Sequence, residues 1–232
     1  MRKFFDRLKR EGVTWPQFFF QFVIVLLGVY LAILVERKAE ERNLQEDTEV
    51  MLQNVLAELE DDEDELVRIL DIQQIRLETA EALVERLGRA SQDDAAAVDS
   101  LFGHYFDNNR TAFLRKSAYT AMVSGGYLRS LVRTELPVKF ANLYERVYTR
   151  VANNGDWQDF QTFQMLMPAF HAHFDKGRGE FIESGPEANV RLRNVAFQLV
   201  RGITYYQGFL GVTLEDIRDV KRAVEEYLAQ SQ

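Results

Sequence analysis

Residues 17–35 read QFFFQFVIVLLGVYLAILV, nineteen positions without a charge. As a helix rising 1.5 Å per residue, this stretch is about 28 Å long, close to the thickness of a bilayer's hydrocarbon layer. Trp15 stands at its leading edge, where an amphipathic ring favours the headgroup region. A cleaved signal peptide would need a small-x-small site after the apolar core, and the VERKAEE that follows offers none. Core helices of soluble proteins rarely run so far without a charge. The stretch therefore predicts a single transmembrane helix. It divides the chain into a stub at 1–16, a span at 17–35 and an extramembrane domain at 36–232.

Charge sets the expected orientation. Arg2, Lys3, Arg7, Lys9 and Arg10 precede the span, whereas Arg37, Lys38 and Arg42 follow it among Glu36, Glu40, Glu41 and Glu46. The positive-inside rule then places the stub in the cytoplasm and the acidic body beyond the membrane, in the periplasm if the membrane is a bacterial inner one. Within the span, Gln17 and Gln21 share a helical face, and Gly28 and Ala32 form a small-xxx-small pair. Both features suit packing against a second helix, although such pairs also occur in spans that touch only lipid. The run Phe18, Phe19, Phe20 and Phe22 offers docking surface or lipid contact equally well.

Beyond the span, no Pro or Gly interrupts residues 43–87. Leu52, Leu56, Leu59, Leu66, Leu70, Leu77, Ala80, Val84 and Leu87, with Glu63 and Gln73 filling two places, alternate in steps of four and three. That rhythm predicts one long helix ending at Gly88, about 65 Å from end to end if unbroken from Asn43. Because 36–42 contains no breaker, the helix can continue directly from the span. A second seam runs through Leu192, Ala196, Leu199, Ile203, Tyr206, Leu210, Thr213, Ile217, Val220, Val224 and Tyr227, with Gly202, Gly208 and Gly211 marking an expected bend. Two such stripes bury each other best as an antiparallel pair, so the expected fold is all-α: a transmembrane helix continuing into a helical bundle.

Shorter helices are expected between the seams. Ser91 with Asp94 resembles an N-cap opening a helix to about Phe106, and Asp107-Asn108-Asn109 makes a turn. Residues 117–123 read as a helix broken at Gly125-Gly126. Thr134 caps the next, whose face carries Leu136, Phe140, Leu143, Val147 and Val151. Asn153-Asn154-Gly155 should end that helix, with another from Trp157 to about Phe174 and a long loop over 175–187. No strand pattern is evident.

Composition narrows the chemistry. With 28 Lys and Arg against 36 Asp and Glu, and no dense basic run, the chain lacks the footprint of a nucleic-acid binder. The absence of Cys removes disulfides, thiolate metal sites and a cysteine nucleophile. Hydrophobic residues at 47% are ample for a folded core. The acidic run Glu58, Glu60, Asp61, Asp62, Glu63, Asp64 and Glu65 lacks the Gly turn and ligand spacing of a calcium loop, and reads as a solvated helix face on which a basic partner could dock. His171, His173 and Asp175 are ligand types suited to zinc, but residues two apart on a helix face opposite ways, so no metal site is expected. No G-x-S-x-G, P-loop or H-E-x-x-H motif is present, and neither a catalytic residue nor a cofactor is expected.

The run Ala118-Tyr119-Thr120-Ala121-Met122-Val123-Ser124-Gly125-Gly126-Tyr127-Leu128-Arg129-Ser130-Leu131 resembles a motif of an uncharacterised family of bacterial single-pass membrane proteins. In that motif Ala-Tyr is followed by Leu, Ser, Gly, Leu and Ile, and by a helix ending near a Tyr pair. Here Met122 replaces the first Leu, Leu131 replaces Ile, and Leu143-Tyr144 falls where the pair would lie. The basic start, the span and the charged stretch 36–42 resemble the family too, whereas the last helix has no counterpart. The resemblance brings no activity with it. Physically, Ser124 to Gly126 is a helix break, and Ala118, Tyr119, Met122, Leu128 and Leu131 are packing residues.

These readings favour a non-catalytic, membrane-anchored scaffold subunit of a respiratory, photosynthetic or transport assembly, with the lipid bilayer and other subunits as partners. The alternative is an extracytoplasmic sensor binding a small ligand between helices and signalling through a partner. Self-association of the seams into a homo-oligomeric coiled-coil spacer is a third expectation.

Overall fold

A computed structural model describes residues 15–89, 91–183 and 190–231, with side chains from Phe18 onward. The basic stub at 1–14, the side chains of Trp15 and Gln17, and the loop residues 184–189 lie outside the described residues. The chain divides into two compact units, Met1–Glu49 and Val50–Gln232.

Helix α1 (Trp15–Arg89) is continuous over 75 residues; its one Pro, Pro16, falls in the first turn, where a missing N–H costs no intrahelical bond. In the first unit its residues 18–35 are uncharged, apolar but for Gln21, and exposed but for half-buried Val23, and by length and composition this segment can cross a membrane.

Among its described residues the second unit is mainly helical, with one small hairpin and irregular connections. It contains α1 from Val50 onward, α2 (Ala95–Asp107) and α3 (Ser117–Ser124). An unbroken helical run follows over 136–173: α4 (Leu136–Phe140), a π-helical segment (Ala141–Val147), α5 (Tyr148–Phe160), a second π-helical segment (Gln161–Leu166) and α6 (Met167–His173). The hairpin β1 (Phe174–Asp175) with β2 (Glu180–Phe181) comes next, and α7 (Val190–Ser231) closes the chain.

Side-chain pairs fix the directions. Gln74 meets Gln207 at 3.2 Å, while Glu63 meets both Arg218 and Lys221 at 2.8 Å. Rising numbers in α1 thus oppose falling numbers in α7, the expected antiparallel pair. The run 136–173 also opposes α7, through Lys139 with Asp219 and Arg150 with Tyr205, and lies parallel to α1 through Tyr148 with Asp62 and Thr162 with Arg76.

The α7 seam is buried as read, from Leu192 to Val224 with Tyr227 half-buried, and α7 runs unbroken through its three glycines. The α1 seam is half as read. Leu52, Leu59, Leu66, Gln73, Ala80 and Leu87 are buried, but the alternating places belong to Val55, Asp62, Ile69, Arg76 and Leu83. Leu56, Glu63, Leu70, Leu77 and Val84 lie one position along, on the half-buried flank. The core consequently falls into two apolar clusters. One surrounds Leu52 to Ile69 with Tyr119, Phe140 and Tyr206, and the other surrounds Leu83 and Leu87 with Phe102, Phe170 and Phe181. Gln73 and Arg76 lie between them along α1.

Three local expectations need correction. Asn153-Asn154-Gly155 does not end a helix, since α5 passes straight through. Gly155 is buried there, and a Cβ on it would come within 3.2 Å of Thr111 Cβ, so the glycine admits a passing chain rather than a break. The loop after His173 contains a hairpin, held by Phe174 edge-on to Phe181 and by Asp175, whose Oδ1 accepts from the Gly177 and Arg178 N–H groups. Gly179 closes that turn at φ 69°. Finally, the acidic run is a solvated face only in part: Glu60, Asp61 and Asp64 are exposed, whereas Asp62 is buried and Glu58 and Glu63 are half-buried against the partners named below.

Candidate functional site

Between α2 and α3 the chain crosses the bundle as an irregular strap over 108–116. Its contacts run backwards along α1, Arg110 to Gln73, Arg115 to Asp62 and Ala118 to Glu58. Five strap residues cover about 16 Å when extended, the same rise as eleven helical residues, so the register closes. An irregular strap on a packed core has backbone groups without ladder partners, and these must be satisfied. The polar residues of the seams do this. Gln73 Nε2 donates to the Arg110 carbonyl at 2.5 Å, Asp62 accepts from the Arg115 N–H at 3.0 Å, Glu58 accepts from the Ala118 N–H at 2.9 Å, and the Tyr206 hydroxyl accepts from the Ala112 N–H at 3.0 Å. Asp61 pairs with the Arg115 guanidinium and Glu58 with the Ser117 hydroxyl, while Glu63 binds α7. Four of the seven acids in the run thus hold the fold together.

Two of these buried groups carry unusual electrostatics. Asp62 also accepts from the Tyr148 hydroxyl at 2.7 Å. Burial pushes its carboxyl up to about 6, with Glu58 and Glu65 adding to the rise and the bonds from Tyr148 and Arg115 opposing it. Tyr148 and Tyr144 are both driven above the usual phenol range, first by burial and then by the charge on Asp62. Arg76 is fully buried. Its guanidinium reaches Gln73 Oε1 at 3.2 Å, the Tyr105 hydroxyl at 2.8 Å and Thr162 Oγ1 at 3.2 Å, and lies 4.6 Å over the Tyr105 ring. Among the described residues no carboxylate pairs with it, and its Nε has no partner. The charge is carried by neutral dipoles and a ring face alone.

The second π-helical segment turns Gln161 and Thr162 inward together. Thr162 joins Arg76, whereas Gln161 faces α7 beside Gln158, where a groove of about 490 Å³ opens, lined by Asn154, Trp157, Gln158, Gln161, Gln198, Arg201, Gly202 and Tyr205. Gln158 and Gln161 are 1% and 6% exposed, yet the Oε1 of each has no hydrogen-bond partner. A buried, unsatisfied amide oxygen costs about 1–3 kcal/mol, and these two lie beneath the groove with essentially no surface of their own open to it. Gly202 is required by the same approach, because a Cβ on it would sit 2.6 Å from Gln161 Oε1. The rings of Trp157 and Tyr205 stand 51% and 57% exposed at the rim.

The residues singled out in the sequence fall elsewhere. Gln21, Gly28 and Ala32 are exposed on α1. Ala118, Tyr119, Met122 and Leu131 are buried packing residues, Leu128 is half-buried, Ser124 is exposed at the end of α3, and Gly126 supplies the left-handed residue (φ 75°) that stops it. Tyr119 stacks on Tyr144 at 4.4 Å, and Tyr144 meets Tyr148 edge-on at 5.0 Å, forming a column that leads to Asp62. His171 is exposed on α6, and Asp175 is engaged in its turn; among the described residues no three His, Asp or Glu gather to hold a metal. The groove escaped the sequence reading. Its one local signal is the pair of glutamines at 158 and 161 on the inward side of a helix, opposite a glycine next to a seam position.

No curated protein and no solved structure matches the chain. A family model does match, over residues 21–166, from the apolar helix through the strap and the Tyr column to the end of the second π-helical segment. The chain belongs to that family, a family of unknown function (DUF6090).

Proposed function

We propose that this chain is a non-catalytic, membrane-anchored docking subunit that stabilises a larger membrane assembly of respiratory, photosynthetic or transport type. Its N-terminus lies in the cytoplasm of a bacterial cell and its bundle in the periplasm. One observation carries the reading. At 3.6 residues per turn, Gln21, Gly28 and Ala32 fall within about 40° of one another on α1, one stripe holding a polar amide and both small residues of residues 18–35. Among the described residues none covers that stripe, and a Cβ on Gly28 would meet nothing within 4 Å. A glycine that weakens its helix and serves no internal packing has its use in a neighbour's close approach, and a lone amide in hydrocarbon is stabilised by a partner's hydrogen bond. On the bundle, Phe113 on the strap is 84% exposed, and Val132 and Val138 are also exposed, which adds apolar surface for docking. Gentle detergent extraction of the tagged full-length protein from its own cells tests this. Stoichiometric partners of defined mass are expected, and a lone monomer or a homo-oligomer would contradict the reading.

The groove favours a second reading, a membrane-tethered sensor, because Asn154, Gln158, Gln161, Gln198 and Arg201 converge on it. Such a protein would relay ligand binding through the same membrane partner.

A further inference from the structure

Helix α7 buries one seam in the core and leaves a second stripe bare. At 3.6 residues per turn, Phe197, Arg201, Tyr205, Gly208 and Val212 fall within about 80° of one another, and all five are exposed. The stripe is apolar or aromatic apart from one cation and one glycine, and it runs for about 22 Å, four helical turns rather than the length of a small molecule. Among the described residues, nothing outside its own helix backbone lies within 4 Å of a Cβ on Gly208. That glycine serves no packing inside the chain and leaves room for a neighbour's backbone. Across the groove, α5 adds Trp157, stacked on exposed Phe160 at 5.3 Å. Arg150 borders the face, its guanidinium 4.7 Å over the Phe209 ring and 3.4 Å from the Tyr205 hydroxyl. The half-exposed rings of Trp157, Phe160, Phe197 and Tyr205 together present about 300–500 Å², the size of a functional apolar patch. Trp, Tyr and Arg are also the residue types that dominate binding energy at protein interfaces.

Charge selects the occupant. Among the described residues neither Arg150 nor Arg201 pairs with a carboxylate, and no Asp or Glu lines the groove. The chain carries −8 overall, but at physiological salt fields fade within about 8 Å, so a docked segment meets these two guanidiniums rather than the net charge. A basic segment would set like charges against each other, and an uncharged one would cover two cations without pairing them. A helix with leucines three and four apart on one face, flanked by Asp or Glu, suits every part. Its leucines cover Trp157, Phe197 and Val212, its backbone comes close at Gly208, and its carboxylates reach Arg201 and Arg150. We propose that the face formed by α5 and α7 docks an acidic amphipathic helix of a partner protein. The proposal rests on the docking reading above and adds a contact on the bundle separate from the α1 stripe, so either contact can fail alone.

The chain has two tryptophans, and Trp15→Phe leaves Trp157 as the sole reporter on this face. The full-length variant in phosphatidylcholine vesicles is titrated with two Trp-free helical peptides of about five turns that share one leucine face. One carries Glu at its charged positions and the other Lys; vesicles without protein fix the free peptide concentration. Because the fluorescence comes from Trp157 alone, peptide held elsewhere on the acidic surface does not register. The Glu peptide is expected to give a saturable blue shift, and the same composition with its leucines scrambled should bind about tenfold more weakly or less. Arg201→Glu should weaken the Glu peptide about tenfold and make the Lys peptide the tighter of the two, a reversal that lost folding does not produce. Gly208→Leu should weaken the Glu peptide several-fold while holding or raising the thermal midpoint, since it fills open space and improves helix propensity. No saturable response to the Glu peptide would overturn the proposal. So would equal binding of the scrambled peptide, tighter binding of the Lys peptide to the chain with Arg201 in place, or a response that Arg201→Glu leaves intact.

Discussion

Asp62 and Arg76 occupy core places in a heptad seam where an aliphatic residue would be cheaper, and each is there for a backbone or hydroxyl elsewhere in the chain. For Asp62 this has a pH signature. Its carboxyl is raised by burial to about 6, so between about pH 4 and 6 the folded protein holds a proton that the unfolded chain has released. The contribution is fully present below about pH 4 and is lost as pH rises through 6, at about 1.4 kcal/mol per pK unit. Glu63 and Asp219, lowered first by their hydrogen bonds from Lys221 and Lys139, act in the opposite sense, losing their contribution as pH falls. The signature is therefore read as a difference. Wild-type stability minus that of Asp62→Asn, from urea titrations of the full chain, should decline across pH 4–6, and a flat difference would remove Asp62 from the account. Arg76→Ala should destabilise by about 3 kcal/mol, leaving a cavity and three polar groups short of a donor. Arg76→Met, which keeps volume and removes the buried charge, should recover much of that loss in the same titrations. Neither residue was legible as buried in the sequence. Apolarity pointed to the neighbouring positions Leu56, Leu70 and Leu77, and the strap that Asp62 and Gln73 serve lies some forty to fifty residues away.

Among the elements, the strap at 108–116 decides what the others look like. It runs against α1 on one side and past Gly155 of α5 at Thr111. Gly155→Leu should therefore overpack this crossing and cost about 1–3 kcal/mol, although the substitution improves helix propensity. Thermal unfolding followed by circular dichroism checks the sign; stabilisation would show that the strap does not press on α5. Helix positions whose signals are local were legible: the apolar span, the α7 seam, the Ser91 turn, where Ser91 Oγ accepts from the Asp93 N–H, and the stop at Gly126. Elements set by distant chain were not. Asn-Asn-Gly reads as a helix end unless one knows that Thr111 passes overhead, and the hairpin after His173 depends on Phe174 meeting Phe181, since its two-residue strands are too short to show alternation. The amide groove belongs with these, because it needs a π-helical segment, a glycine on another helix and two glutamines at once.

At the scale of the whole molecule, the account rests on a single helix carrying a lipid-compatible surface and one stripe suited to a protein neighbour. Gly28→Leu tests the division of labour. Because, outside its own helix, no described residue lies within 4 Å of a Cβ at that position, the unfolding midpoint of the bundle should stay unchanged while recovery of co-extracted partners falls several-fold. The most direct measurement uses the absence of native cysteine. Single cysteines are placed in turn at positions 18–35 of the full chain, labelled with a photoreactive maleimide that inserts into neighbouring C–H bonds on illumination of native membranes, and resolved by mass. The account predicts adducts of one defined mass at positions 21, 28 and 32, and none at 19, 26 and 30 on the opposite face. Adducts without helical periodicity, or none other than dimers of the chain itself, would contradict it.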